Sequence, residues 1–261
     1  MNHRIRSLVL ELYGSRRGPE VYAALRRIMR RAGLSPAAPR GYGGRSFVPD
    51  QRHSVLITYG DQFSQRGEKP LKTLLRFLRT YVKPIIPGVH VLPFFPFSSD
   101  YGFSITDYTR VNPRLGGWRQ IGRIAREFIL MCDLVLNHMS AESRWFRGFL
   151  KGDHRFDDFF ITVRPGADLS SVARPRALPL THSFKARGGE KLLWTTFSRD
   201  QVDLNYKNPR VLLEMIRVLL LYIKRGARVI RLDAIAYLWK EEGTACIHLP
   251  QTHMVVKLFR A

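Results

Sequence analysis

The chain has 261 residues, of which 45% are hydrophobic and 11% aromatic, enough to bury the core of one large domain or two small ones. That balance excludes intrinsic disorder. The formal charge of +22 raises nucleic acid as a partner, yet residues 1–50 hold only +7 of it and the rest is spread without a dense tract, so a generally basic surface is expected and no nucleic-acid partner.

Residues 1–33 read as a helix, with Val21, Tyr22, Leu25, Ile28 and Met29 on one face and Arg26, Arg27, Arg30 and Arg31 mostly on the other. A docked helix with a solvated basic face is expected; the alternative is a basic arm for duplex DNA. The opening "MNHRIRSLVLELYG" has too short an apolar run for a secretory signal. Residues 34–50, rich in Pro and Gly, read as a linker.

From residue 53 strands and helices alternate. "SVLITYG" (54–60) is a strand, 69–82 a helix, "GVHVLPFFPF" (88–97) opens with a strand, 116–128 is a helix, and "FILMCDLVLNH" (128–138) is a strand. Residues 209–225 form a helix opened by Pro209, and "ARVIRLD" (227–233) is the fourth strand. The alternation predicts parallel pairing and an α/β fold. Between the third strand and its helix lie residues 139–208, a stretch long enough to form a subdomain. The most apolar helical run, 211–224, is interrupted by Glu214 and Arg217 and is too short to cross a bilayer. Cys132 and Cys246 supply neither a disulfide framework nor a metal-ligand set, so a reducing, cytoplasmic setting and no metal are expected.

In parallel α/β folds ligands bind at the carboxyl ends of the strands. Tyr59 and Asp61 follow the first strand, Asp100, Phe103 and Asp107 the second; Asp133, Asn137 and His138 belong to the third, Arg231 and Asp233 to the fourth. Each residue alone has a bland reading: Asp100 as a turn cap, Asn137 and His138 as hydrogen-bonded strand-end groups, Arg231 and Asp233 as a structural ion pair. Together they mark one edge as an active site. Aromatics interleaved with these groups (Tyr101, Phe103, Trp145, Tyr237 and Trp239) suit a sugar. Retaining chemistry on an α-glycoside needs a carboxylate nucleophile and a separate acid/base about 5–5.5 Å away. Asp233 fits the first role, and Arg231 beside it is expected to hold its carboxyl below the ordinary range.

The stretches "DLVLNH" (133–138) and "VIRLDAIAYLWKEEGT" (229–244) resemble the α-amylase superfamily of (β/α)8 TIM-barrel enzymes. With "VLITYGDQF" (55–63), "VHVLPFFPFSSDYGFSITDYTRV" (89–111), "RPRALPLTHSF" (174–184) and "LWTTFSRDQVDLNYKNP" (193–209), the chain is similar to the sucrose-phosphorylase branch, and its "DLNY" and "WKEEGTACIHL" wording to the glucosylglycerate phosphorylases. The resemblance implies Asp233 as nucleophile, Arg231 as the group orienting it, Asp100 and His138 as hydrogen-bond partners of the glucosyl unit, and Phe103 as the ring packed against it. It implies Asn137 and Asp133 as support, and Arg176 and Gln201 on the phosphate and acceptor side. The reaction implied is retaining phosphorolysis of a small-molecule α-glucoside to α-glucose 1-phosphate, with inorganic phosphate as co-substrate and neither a metal nor an organic cofactor. Residues 1–50 then form an arm and linker, 51–138 the first part of the barrel, 139–208 an inserted subdomain, and 209–261 helix three, strand four and the start of helix four.

Eight strands are expected of such a barrel and four are found, so the sequence reads as an incomplete, inactive half whose acid/base glutamate lies on a strand it does not include. Glu241 and Glu242 follow the nucleophile too closely to replace it. The open edge of a half barrel invites self-association. A hydrolase or transglycosylase of the same family and a non-catalytic carbohydrate-binding remnant are the alternatives.

Overall fold

A computed structural model describes residues 2–33, 50–51 and 53–261. Apart from Asp50, the expected linker lies outside the described residues.

The centre is a parallel sheet of four strands, β1 (Val55–Thr58), β2 (Gly88–Val91), β3 (Ile129–Val135) and, far along the chain, β8 (Val229–Asp233). They lie in chain order, with Val91 opposite Cys132 and Asp133 opposite Arg231. Every residue of β2 is buried, as a strand covered on both faces requires. The connections run through α2 (Pro70–Phe77), α3 (Trp118–Glu127) and α5 (Pro209–Lys224), and α6 (Pro250–Arg260) follows β8. Pro209 starts α5 behind Asn208, whose side chain accepts from the Arg210 N–H and so satisfies a free donor of the first turn. β1 and β8 are the outer strands, and β1 leaves Ile57 63% exposed.

The arm, α1 (Asn2–Arg31), docks against α5 and α6 with Ile5, Leu8, Val9, Val21, Leu25 and Ile28 buried, while Arg26, Arg27, Arg30 and Arg31 face solvent. It is broken at Gly14, whose φ of 73° lies outside the helical region, so the single helix expected over 1–33 is two segments. Tyr13 secures it by donating to the Tyr206 carbonyl at 3.0 Å.

Two further expectations are corrected. The helix expected over 69–82 ends as α2 at Phe77, and a π-type turn, Leu78–Val82, completes it, with the Lys83 N–H on the Leu78 carbonyl. The strand expected over 128–138 stops at Val135, and β4 (His138–Ser140) follows as a separate strand. The Tyr108 hydroxyl donates to the carbonyls of Val135 (2.9 Å) and His138 (2.7 Å), and Tyr206 to that of Leu136 (2.9 Å). Buried hydroxyls thereby take carbonyls the ladder would otherwise use.

Between β4 and α5 the chain forms α4 (Arg144–Leu150), an antiparallel hairpin of β5 (Thr181–Ala186) and β6 (Gly189–Trp194), and β7 (Gln201–Asp203), which pairs antiparallel with β4. Trp145, read as a sugar platform, instead packs, partly buried, on Tyr108, Phe156 and Phe159. Both cysteines are free and buried. No helix among the described residues is long and apolar enough to cross a membrane.

Candidate active site

The site lies at the carboxyl ends of β2, β3 and β8. Asp133, fully buried in β3, sits between two neighbours: His90 of β2 places Nε2 2.7 Å from Oδ2, and Arg231 of β8 donates from Nη1 to Oδ1 at 2.6 Å. The other arm of the guanidinium, Nη2, lies 3.1 Å from Oδ1 of Asp233. A planar fork that bridges two carboxylates has its orientation set by both. β8 ends there because Ala234 turns left-handed at φ 55°, which leaves Asp233 as the last strand residue. The Phe103 ring lies 5.5 Å from the same guanidinium, so strand ends and the loop after β2 meet at Arg231.

The expected lowering of the Asp233 carboxyl does not hold. Burial raises it, Arg231 pulls it down, and the charges of Asp133 and Asp100 push it up again, leaving it above its ordinary value. A neighbouring cation lowers a carboxyl only when its attraction exceeds the cost of taking the anion out of water.

On the opposite wall, Gln201 of β7 donates from Nε2 to Oδ2 of Asp100 at 2.8 Å, and the same nitrogen lies 3.0 Å from Nε2 of His138. His138 Nε2 is also 3.2 Å from the Phe103 carbonyl, while Nδ1 is buried without a hydrogen-bond partner among the described residues. Burial depresses the His138 ring to about 4, with Asp203, the Phe103 carbonyl and Asp100 only partly offsetting it, so the imidazole is neutral at physiological pH. Arg176 approaches Asp100 from the loop before β5, with Nη2 3.1 and 3.3 Å from its two oxygens. The residues 100, 103, 138, 201, 231 and 233 therefore form one constellation, with Arg176 at its rim.

Asn137 is placed differently. Its amide donates to Asp203 at 3.0 Å and its oxygen accepts from Lys240 at 3.2 Å, so both ends are used by the protein. Lys240 lies 2.8 Å from Asp203, which also accepts from the main-chain N–H and hydroxyl of Thr196. This buried ion pair braces the junction of β3 and β4 beneath the site. Tyr101 points to solvent at 80% exposure, Asp61 is exposed, and Asp107 accepts from Thr109 in a local turn. Among the described residues no group of three metal-ligating side chains comes together.

Sequence reasoning passed over His90, Phe197, Asp200, Asp203 and Lys240. Phe197 lies 5.1 Å from the His138 ring, 5.5 Å from Tyr237 and 5.6 Å from the Arg176 guanidinium, which makes it an aromatic wall of the site. A signal was available: "FSRDQVDL" puts two acids and an aromatic within a few residues of Gln201.

A site of this kind, with carboxylates and an imidazole at parallel strand ends, has counterparts. The family profile described as Alpha amylase, catalytic domain, matches residues 80–257. The glucosylglycerate phosphorylase of Spirochaeta thermophila is 58% identical over 259 residues, 99% of this chain and 44% of that protein. The sucrose phosphorylase of Bifidobacterium adolescentis is 35% identical over 217 residues, 78% and 42% of the two chains. In three dimensions the sucrose 6F-phosphate phosphorylase from Thermoanaerobacter thermosaccharolyticum superposes with a TM-score of 0.73 at 31% identity, covering 84% of this chain and 46% of the other. The chain thus spans somewhat under half the length of these relatives. With a catalytic-domain profile matched over most of its length, and the strand-end constellation in place, the chain belongs to the α-amylase family.

Proposed function

We propose that this chain carries the glucosyl-binding and nucleophile-bearing part of a retaining α-glucoside phosphorylase of the glucosylglycerate type. The observation that supports it most is the Asp133–Arg231–Asp233 chain, which aims a carboxylate into a site bounded by Asp100, Phe103 and a neutral His138. The 58% identity to a glucosylglycerate phosphorylase favours that acceptor class over sucrose.

In the reaction an Asp233 oxygen attacks the anomeric carbon as the bond to the leaving oxygen breaks, giving a β-glucosyl ester. A phosphate oxygen then attacks the same carbon from the other face, which releases α-glucose 1-phosphate and restores the carboxylate. The raised carboxyl of Asp233 reflects a desolvated anion, and Arg231 keeps one of its oxygens aligned. Asp100, His138 and Gln201 offer hydrogen bonds to sugar hydroxyls, and Phe103 and Phe197 offer ring faces. Asn137 acts as a brace beneath them. Arg176 at the rim suits the phosphate dianion. The reaction proposed uses phosphate as co-substrate and no metal or organic cofactor, in a cytoplasmic setting.

The leaving oxygen needs a proton. Among the described residues Glu241 and Glu242 are exposed, and Glu242 pairs with Arg164 at 2.5 Å. The chain by itself is therefore expected to lack the general acid, a loss of about 10²–10⁴-fold on glucosylglycerate. α-Glucosyl fluoride avoids this requirement, because fluoride leaves without protonation. Fluoride release by the 261-residue chain, abolished by Asp233→Asn, is the expected result; release that survives Asp233→Asn would overturn the assignment. Robust α-glucose 1-phosphate formation from glucosylglycerate and phosphate would refute the expected lack of an acid.

A further inference from the structure

The loop after β2 is conformationally costly. Asp100, Tyr101 and Gly102 have φ of 56°, 52° and 104° in succession, a left-handed run that the first two side chains do not favour. The loop also presses on Pro93, where a Cβ on Gly102 would lie 2.9 Å from the carbonyl oxygen. Main-chain bonds close its base, from the Ser98 N–H to the Ser104 carbonyl (3.1 Å) and from the Ser104 N–H to the Ser99 carbonyl (3.3 Å), and one group outside the loop adds to them.

That group is Asp200, the residue before Gln201. Its Oδ2 accepts hydroxyl hydrogen bonds from Ser98 (2.5 Å), Ser99 and Ser104 (2.7 Å). Its Oδ1 accepts from the Ser140 hydroxyl and the Ala141 N–H, both at 3.2 Å, and its main-chain oxygen takes Ser104 Oγ (3.0 Å) and the Ala141 N–H (2.9 Å). No Lys or Arg forms a salt bridge with it among the described residues. Burial pushes its carboxyl upward, and the four serine hydroxyls outweigh that and hold it below the ordinary range, so it stays an anion.

We propose that Asp200 is the positioning residue of the glucosyl subsite: its carboxylate gathers the serines on either side of Asp100 and Phe103 and fixes those two residues against Asp233 and His138. Ser99 precedes Asp100 and Ser104 follows Phe103, so the carboxylate clamps the two sides of a loop base that the main chain closes. Ser140 ties the same anion to β4, two residues from His138. The adjacent Gln201 reaches the side chain of Asp100, so two consecutive residues of one segment hold the loop by its backbone neighbours and by its functional carboxylate. The proposal rests on the glucosyl reading of this site.

The test compares Asp200→Ala and Asp200→Asn with wild type by hydrogen exchange, thermal unfolding and fluoride release from α-glucosyl fluoride. Asp200→Ala is expected to raise KM about tenfold or more while kcat changes far less, and to speed exchange over residues 98–105 with the central sheet protected as before. Asp200→Asn retains one acceptor oxygen and is expected to fall between the two; it also serves if the alanine variant does not fold. Unchanged KM, or loosening spread evenly over the sheet, would overturn the proposal in favour of a structural residue. Wild-type chain that releases no fluoride would instead overturn the glucosyl reading, and exchange over residues 98–105 still decides whether Asp200 sets the loop.

Discussion

Arg176 reaches back across the chain to Asp100, with Nη2 3.1 Å from Oδ2, and so occupies a carboxylate proposed to receive a sugar hydroxyl. A neutral sugar must displace this contact, whereas a phosphate can draw the guanidinium to itself.

Arg176→Ala is accordingly expected to tighten the binding of glucose and to weaken that of α-glucose 1-phosphate. The pair is half exposed, so the gain for glucose is small, about two- to fivefold. Calorimetric titration with both ligands checks this; parallel changes for the two would contradict it.

Asp233 titrates above its ordinary value, which fixes a sign. Its ionised form is disfavoured by folding, so it costs stability at neutral pH, and the cost fades as pH falls through the raised value toward the ordinary aspartate range near about 4. Asp233→Asn is expected to raise the Tm at pH 7, with the difference closing in acid. Fluoride release by wild type should fall over the same acid limb.

His138 acts in the opposite sense. The unfolded ring takes up a proton near the ordinary histidine value of about 6.5, while the folded ring resists until about 4. Stability is therefore expected to drop between those two pH values, and His138→Gln should flatten that part of the curve. Unfolding midpoints in urea at several pH values measure it.

Asp133 is fully buried, and its loss would leave Arg231 and His90 without their shared partner. Asp133→Ala is expected to cost about 3–5 kcal/mol in urea unfolding. A cost below about 1 kcal/mol would mean that the bridge between β2, β3 and β8 carries little of the fold.

Among the described residues no strand pairs with the outer edges of β1 and β8, so self-association is expected. A chain of +22 repels its own copies, and salt screens that repulsion. Sedimentation should show association that strengthens with ionic strength; a monomer at all salt concentrations would count against it.

Much of the site was legible because its residues announce themselves locally. Asp133, Arg231 and Asp233 are charges inside apolar runs, and Asp100, Phe103 and His138 follow strands. Less legible were residues whose neighbours alone make them informative. Trp145 and Phe197 are alike as aromatics in sequence, yet one packs on Tyr108, Phe156 and Phe159 and the other lines the site. Asn137 sits beside His138, but Asp203 and Lys240 claim its amide. Asp200 looks like any acid in a loop until four serines from two segments converge on it.

Apolar periodicity by itself determined the four strands of the central sheet, the helices between them and their parallel order, because the spacing of buried positions is a local property of the chain. It also placed charges at strand ends, since an unpaired charge is not tolerated within a covered sheet. Only the tertiary structure decided what each charge meets. Arg231 and Asp133 are 98 residues apart, and Gln201 and Asp100 are 101. Closing those distances sets both the partners and the depth of burial. Burial turned the expected lowering of Asp233 into a rise, and it drew the carbonyls of Val135 and Leu136 to tyrosine hydroxyls, ending β3 where the sequence ran on.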